Sequence, residues 1–250
     1  MSDGTRFSYA GATLVAETVG TGPLVYLLIH GIGMGRTIFG DLTTHLTAGD
    51  VDGSDSTVIA VDLPGYGEAP EPVRTLTIER TADLIAAYLR HLHAAPAVIV
   101  GHSMGTQVAV EVAARHPLLV RGIVLVAPTV DPRERTAVQQ VLRLAQDLLV
   151  ESPRVIAVGA REYVRAGPNF RGKFRAMLVH RPEDTYPRVA ARALVLRGEK
   201  DYVARSDWCR SVTARLPEAR LVEVPGHGHE TMIRDSAPAA RAILEFVAAG

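Results

Sequence analysis

Short apolar runs alternate along the chain with longer amphipathic segments, and this alternation predicts the fold. Seven short segments are rich in apolar and β-branched residues and are typical of strands: 12–19, 23–31, 56–65, 96–101, 120–128, 191–198 and 219–226. Four longer segments repeat apolar residues with helical spacing: 77–92, 106–116, 206–216 and 237–249. Apolar strands that alternate with helices indicate an α/β fold, with a mostly parallel, twisted sheet and helices on both of its faces.

The alternation is interrupted once, between residues 131 and 186. This segment contains helical stretches such as RTAVQQVLRLAQDLLV and one weak strand candidate, RVIAVG. An insertion of this kind at one edge of a sheet commonly forms a lid over the ligand site. We therefore expect an α/β core made of residues 1–130 and 187–250, with a helical lid at residues 131–186.

The composition argues against several functional classes. The 250 residues carry 27 basic and 27 acidic side chains, so no net field favours nucleic acid or an anionic membrane. Cys209 is the single cysteine, which excludes an intrachain disulfide and a multi-cysteine metal site, and we expect it to be buried in a helix. The N-terminal residues do not fit a signal peptide, and no apolar stretch reaches about 18 residues. We therefore expect a cytoplasmic protein without a membrane segment.

The sequence GHSMG at residues 101–105 fits the pattern G-x-S-x-G and lies between a predicted strand and a predicted helix. In this setting the pattern forms a sharp turn that lifts the serine hydroxyl above the sheet, and the glycines leave room for that turn. Ser103 is therefore the predicted nucleophile.

A serine hydroxyl needs a general base, and the base needs an acid to orient it. Candidates for both follow directly after two later strands, where catalytic groups collect in open α/β sheets. The acid candidates are Glu199 and Asp201, and the base candidates are His227 and His229. The order nucleophile, acid, histidine along the chain fits a Ser-His-acid triad.

Five ordered motifs make the chain resemble the α/β-hydrolase-fold serine hydrolases that carry a helical lid. The motifs are HGIG at 30–33, DLPGYG at 62–67, GHSMG at 101–105, GEKD at 198–201 and PGHGH at 225–229. The resemblance covers nearly all of the chain. Because the family's histidine ends its G-x-G-H turn, the resemblance implies a triad of Ser103, His229 and Asp201. It leaves His227 as an alternative histidine and Asp131, after an earlier strand, as an alternative acid.

The resemblance also implies the surroundings of the triad. The backbone N–H groups of Ile32 and Met104 would form the oxyanion hole. Residues expected near the substrate pocket come from the turns of the core and from the lid: His30, Gly31, His102, Tyr163, Phe170 and Met177. The alternative for the three lid residues is that they pack the lid against the core. Basic residues outnumber acidic ones in the lid, so a lid arginine could pair with a substrate carboxylate.

The implied reaction is acyl transfer, for which neither a metal nor an organic cofactor is expected. A serine at the turn argues against the related epoxide hydrolases and haloalkane dehalogenases, which carry aspartate there. We expect an esterase or lactonase with a small-molecule substrate, and the sequence does not decide between a monomer and a homodimer. One alternative is a C–C bond hydrolase of ring-cleavage products, although these enzymes usually have asparagine and tryptophan where this chain has His102 and Glu230. The other is a non-hydrolytic or ligand-sensing role on the same fold.

Overall fold

The computed structural model describes residues 4–48, 56–94, 96–136, 139, 169–233 and 235–250. Eight strands form one sheet: β1 Thr5–Tyr9, β2 Ala12–Val19, β3 Leu24–Ile29, β4 Ser56–Asp62, β5 Ala97–His102, β6 Val120–Val126, β7 Arg192–Gly198 and β8 Ala219–Val224. The α-helices of the described ranges are α1 Gly40–Ala48, α2 Ile78–His91, α3 Met104–Arg115, α4 Phe170–Val179, α5 Pro182–Thr185, α6 Ser206–Arg215 and α7 Ala237–Ala248. These elements confirm the predicted α/β class.

The strand order in the sheet is β1-β2-β4-β3-β5-β6-β7-β8. From β4 to β8 every neighbouring pair is parallel, whereas β1 and β2 join the edge as antiparallel strands. The parallel strands are predominantly apolar because helices cover the sheet, and all six residues of β5 are buried. All parallel strands end at the same edge, so the turns after β3, β5, β7 and β8 meet there.

The seven predicted strands and four predicted helices are all present, with ends shifted by a few residues. β1 and α1 were not predicted. β1 has the sequence TRFSY and is almost entirely exposed, so its apolar signal is weak. α1 buries only Leu42 and Leu46, which is too few apolar positions to mark a helix face. Cys209 is buried in α6, as predicted.

The predicted lid at residues 131–186 lies largely outside the described residues. Within the described part, a short 3-10 helix at Pro132–Glu134 follows the core, and α4 and α5 precede β7. α4 contacts the core through its buried residues Lys173 and Met177. The lid therefore stays a prediction. Among the described helices, none combines the length and the hydropathy that a membrane span requires.

Candidate active site

Ser103 lies on the turn between β5 and α3 and has a strained backbone. Its φ of 52° and ψ of −117° fall in a region that side chains rarely adopt, and its N–H donates to Val126 O at 2.9 Å. The two glycines of the motif are required by close packing. A Cβ at Gly101 would overlap the Gly105 carbonyl, and a Cβ at Gly105 would overlap the Ile29 carbonyl of the adjacent strand. The predicted sharp turn is therefore present, with Ser103 at its apex.

Asp201 and His229 are brought together at the same edge of the sheet. Asp201 follows β7, His229 lies in the turn after β8, and His229 Nδ1 is 3.0 Å from Asp201 Oδ2. The other carboxylate oxygen, Oδ1, accepts the backbone N–H groups of Val203 at 2.8 Å and Ala204 at 2.7 Å. Burial alone would raise the pKa of Asp201, but His229 and these N–H groups outweigh it and hold the pKa below its usual value.

The alternative residues are placed differently. The ring nitrogens of His227 lie against the backbone carbonyls of Pro225, at 2.9 Å, and Asp235, at 3.2 Å. Asp131 pairs with Arg133 at 2.6 Å. Glu199 is exposed and accepts the N–H of Gly226 through its carboxylate at 2.9 Å. In the described part of the chain, the carboxylate hydrogen-bonded to His229 is thus that of Asp201.

His102, directly before Ser103, connects the serine turn to the histidine turn. Its Nε2 lies 3.0 Å from the carbonyl oxygen of His229, and the two imidazole rings are 5.1 Å apart. Burial, with a smaller contribution from nearby His229, lowers the pKa of His102 to about 3. The ring is therefore neutral near pH 7, and because a carbonyl only accepts, Nε2 carries the proton and donates it to His229 O.

His30 has a similar structural role after β3. Its Nε2 accepts the N–H of Leu63 at 3.1 Å, so the proton lies on Nδ1, which donates to Gly31 O at 2.7 Å. Burial lowers the pKa of His30 and favours this neutral ring. Both His30 and His102 have 0% of their surface exposed. They hold backbone segments of the site, and their predicted place beside a substrate pocket stays a prediction.

The residues predicted for the oxyanion hole lie beside Ser103. Met104 is the first residue of α3, so its N–H has no partner within the helix and lies at the positive end of the helix dipole. Gly31 packs so closely that a Cβ there would lie 3.0 Å from the Ser103 Cβ. Ile32, the next residue, is half-buried and belongs to the same turn. The positions of both predicted donors are therefore compatible with that role.

A buried ion pair that the sequence analysis did not predict supports the turn after β3. Arg36 is 5% exposed, and its backbone N–H donates to Asp62 Oδ1 at 2.6 Å. Its guanidinium forms ion pairs with the same Asp62 carboxylate and with Glu68, the latter at 2.7 Å. Asp62 Oδ2 also accepts the N–H of Glu68 at 2.9 Å. Asp62 opens the DLPGYG motif, so this ion pair joins two of the turns that surround the site.

We expect Arg36→Met to reduce the free energy of unfolding by about 3–5 kcal/mol, because it leaves the Asp62 carboxylate buried without its cation. Urea denaturation followed by circular dichroism measures this loss. Arg74→Met is the matched control, since Arg74 is exposed and its replacement is expected to change stability by less than about 0.5 kcal/mol. Equal stability of the two variants would contradict the prediction.

The described residues of the predicted lid contact the core close to the site. Lys173 Nζ donates to Gly65 O at 2.5 Å, pairs with Glu71 at 2.8 Å and lies 4.5 Å from the centre of the Tyr66 ring. The carbonyl of Met177 accepts a hydrogen bond from Gln107 of α3 at 3.1 Å.

Phe170 is placed next to the turn after β3. A Cβ at Gly33 would lie 3.9 Å from its ring, and the ring stacks on Phe174 with centroids 6.0 Å apart. Tyr163, the remaining predicted pocket residue, lies outside the described residues. Arg133 and Arg135 pair with carboxylates of the protein itself. In the described ranges, no three His, Cys, Asp or Glu side chains are grouped so that they could hold a metal ion.

Comparison with known proteins identifies relatives and structural neighbours of this chain. Several curated relatives align along most of the chain. A 2-(acetamidomethylene)succinate hydrolase of Mesorhizobium japonicum is 26% identical over 90% of this chain and 87% of its own length. A pimeloyl-[acyl-carrier protein] methyl ester esterase of Chromobacterium violaceum is 29% identical over 94% of this chain and 98% of its own length.

The fold is also that of a solved hydrolase. The malate-bound thermophilic esterase from Thermogutta terrifontis superposes with a TM-score of 0.79 at 23% identity, covering 98% of this chain and 97% of the esterase chain. A family model described as the alpha/beta hydrolase family matches residues 26–242, which include Ser103, Asp201 and His229. This chain belongs to the alpha/beta hydrolase family.

Proposed function

We propose that this protein is a serine hydrolase that cleaves a carboxylic ester or a lactone through an acyl-enzyme intermediate. Ser103 is the nucleophile, His229 the general base and Asp201 the acid that orients it. The observation that carries the proposal is the buried hydrogen bond between His229 and Asp201, at the same sheet edge as the strained Ser103 turn. The esterase among the relatives supports an ester substrate.

The contact with Asp201 determines which nitrogen of His229 acts as the base. A carboxylate only accepts hydrogen bonds, so Nδ1 carries the imidazole proton and Nε2 keeps its lone pair. Nε2 can then take the proton of the Ser103 hydroxyl while the oxygen attacks the substrate carbonyl. The Asp201 carboxylate stabilises the imidazolium that forms, and the buried setting strengthens this attraction.

The negative charge of the tetrahedral intermediate develops on the former carbonyl oxygen. In the proposed mechanism the N–H groups of Met104 and Ile32 donate to this oxygen, and one such donor is worth about 3–4 kcal/mol of the barrier. Protonated His229 then gives its proton to the oxygen of the leaving alcohol. The bond between this oxygen and the acyl carbon breaks, and the acyl group stays bound to Ser103. A water molecule, deprotonated by His229, attacks the carbonyl of this acyl-enzyme, and His229 gives the proton to Ser103 Oγ as the acid leaves. No step needs a metal or an organic cofactor.

The test is a screen of p-nitrophenyl esters from acetate to decanoate together with aliphatic lactones. We expect multiple turnover on an ester or lactone of one preferred size, with an initial burst of p-nitrophenolate where deacylation is slow. Mass spectrometry of acid-quenched enzyme should find the acyl group on the peptide that contains Ser103. A ring-cleavage diketone in the same screen covers the C–C bond alternative. Turnover of the diketone without any ester or lactone turnover would refute the proposal.

A further inference from the structure

Arg197 is a buried arginine whose guanidinium lies under the turn that carries Asp201. It is the next-to-last residue of β7, and 4% of its surface is exposed. Its Nη2 donates to the carbonyls of Glu199 at 3.2 Å and Asp201 at 3.1 Å, and its Nε donates to the carbonyl of Ala204 at 2.9 Å. One side chain thus binds this turn on both sides of Asp201.

The remaining nitrogen of the guanidinium, Nη1, anchors Arg197 to the next strand. Nη1 donates to Glu223 Oε1 at 2.9 Å, and Arg197 and Glu223 are directly paired in the β7–β8 register. The same carboxylate oxygen accepts the hydroxyl of Ser206 at 2.7 Å. Glu223 therefore compensates the buried charge from the side opposite the turn and fixes the plane of the guanidinium.

The hydrogen bonds of Arg197 complement those of Asp201 itself. The carboxylate Oδ1 is held by the N–H groups of Val203 and Ala204, which leaves Oδ2 for His229 Nδ1. These N–H groups hold Asp201 in place only if the turn keeps its shape. The carbonyls that Arg197 binds belong to this turn, so loss of the guanidinium would leave three buried or part-buried acceptors to find new partners.

We propose that Arg197 is a positioning residue that fixes the turn at residues 199–204, so that Asp201 presents Oδ2 to His229. The role rests on the proposed function, since it concerns the alignment of the proposed triad. Arg197 differs from Arg36, whose donors meet carboxylates, because three of its hydrogen bonds end on backbone oxygens of a single turn. Only a planar fork with several fixed donors can make these contacts at once, and a lysine ammonium cannot.

The test compares Arg197→Lys and Arg197→Met with Arg192→Met. Arg192 is the matched control because it begins the same strand at the opposite end of the sheet, where it donates to the Phe246 carbonyl and lies over the Phe246 ring. Each variant is measured by thermal melting and by kcat and KM on the best ester. A second readout, independent of turnover, is the far-downfield proton resonance of the His229 Nδ1–H, identified by its absence from His229→Gln.

We expect Arg197→Met to lower kcat about 10²-fold with KM changed by less than about twofold, because misplacing a catalytic group mainly affects the transition state. Arg197→Lys should fold with its charge still paired to Glu223 and lose about tenfold in kcat. The downfield resonance should broaden or disappear in both. Arg192→Met should retain kcat and the resonance even if its melting temperature falls as far as that of Arg197→Met.

The proposal is overturned if Arg197→Lys keeps the wild-type kcat and resonance, whether or not Arg197→Met folds. It is also overturned if Arg197→Met loses no more kcat than Arg192→Met at equal melting temperature. If wild-type protein hydrolyses no ester or lactone, the proposed function fails. The resonance still tests Arg197 in that case, so the two failures are distinguishable.

Discussion

Replacing Ser103 with alanine is expected to lower kcat for ester hydrolysis about 10⁶-fold, because it removes the atom that forms the acyl-enzyme. The fold should tolerate the change. The Ser103 side chain makes no hydrogen bond that caps α3, and its backbone hydrogen bond to Val126 O is unaffected by the substitution. Steady-state kinetics on the best ester, with stopped-flow detection of the burst, measure the effect. We expect both the burst and the steady-state rate to disappear.

The matched control is Ser56→Ala. Ser56 is also buried and hydrogen-bonded, with its hydroxyl 2.8 Å from Leu46 O, but it begins β4 at the opposite end of the parallel sheet. This variant should lose about 1 kcal/mol of stability and keep its kcat. An organophosphonate should label wild-type protein and Ser56→Ala equally, and should not label Ser103→Ala. Ester hydrolysis by Ser103→Ala within about tenfold of wild type would assign the nucleophile to another residue.

The sheet was predictable because its central strands are buried on both faces. A run such as AVIVGH in β5, with six of six residues buried, leaves a continuous apolar segment that an exposed strand would not show. The strand–turn–helix context then placed Ser103 at the edge where parallel strands end. β1 and α1 were not predicted, because each buries few residues and therefore shows little hydrophobic periodicity.

The resemblance favours Asp201 and His229 as the acid and the histidine, but the spacing of the residues does not. His227 and His229 are two residues apart on one turn, and so are Glu199 and Asp201, so spacing alone leaves each pair unresolved. In the structure Asp201 is buried and lies against His229. Glu199 is exposed, and the ring nitrogens of His227 contact backbone carbonyls. The direction of each side chain from a tight turn decides which group can reach the site.

Arg36 and Arg197 were not predicted because the sequence does not mark their partners. Arg36 meets Asp62 across 26 positions of sequence, and the pairing depends on two turns folding against each other. Arg197 binds mainly backbone carbonyls, which every residue has, so no residue type marks its partners. A buried arginine near the end of an apolar strand is the available sequence signal, since its charge and donors must all be satisfied there.

Asp201→Asn is expected to lower kcat about 10⁴-fold while the geometry of the turn is preserved. The N–H groups of Val203 and Ala204 require an acceptor, so the amide oxygen will occupy the position of Oδ1. The amide NH₂ then lies where Oδ2 faced His229 Nδ1 and donates to that nitrogen. Nδ1 must accept, the imidazole proton moves to Nε2, and His229 can no longer take the proton of Ser103.

Glu199→Gln and Asp131→Asn are the matched controls, since each exchanges a nearby carboxylate for an amide without touching His229. Glu199 lies on the same turn as Asp201, and Asp131 is the alternative acid, whose carboxylate pairs with Arg133. Both variants should retain kcat within about twofold. A 10⁴-fold loss in Asp131→Asn with an active Asp201→Asn would reassign the acid of the triad.

Asp201→Asn is also expected to change how the free energy of unfolding depends on pH. Because the folded protein holds the pKa of Asp201 below its unfolded value of about 3.9, the carboxylate contributes stability above that pH. This contribution is lost as the pH falls through the lower pKa of the folded state. Asp201→Asn removes it, so urea denaturation between about pH 5 and pH 2 should show a smaller acid-induced loss in the variant than in wild-type protein. An equally steep loss in both would show that Asp201 is not stabilised as a carboxylate by His229 and the turn.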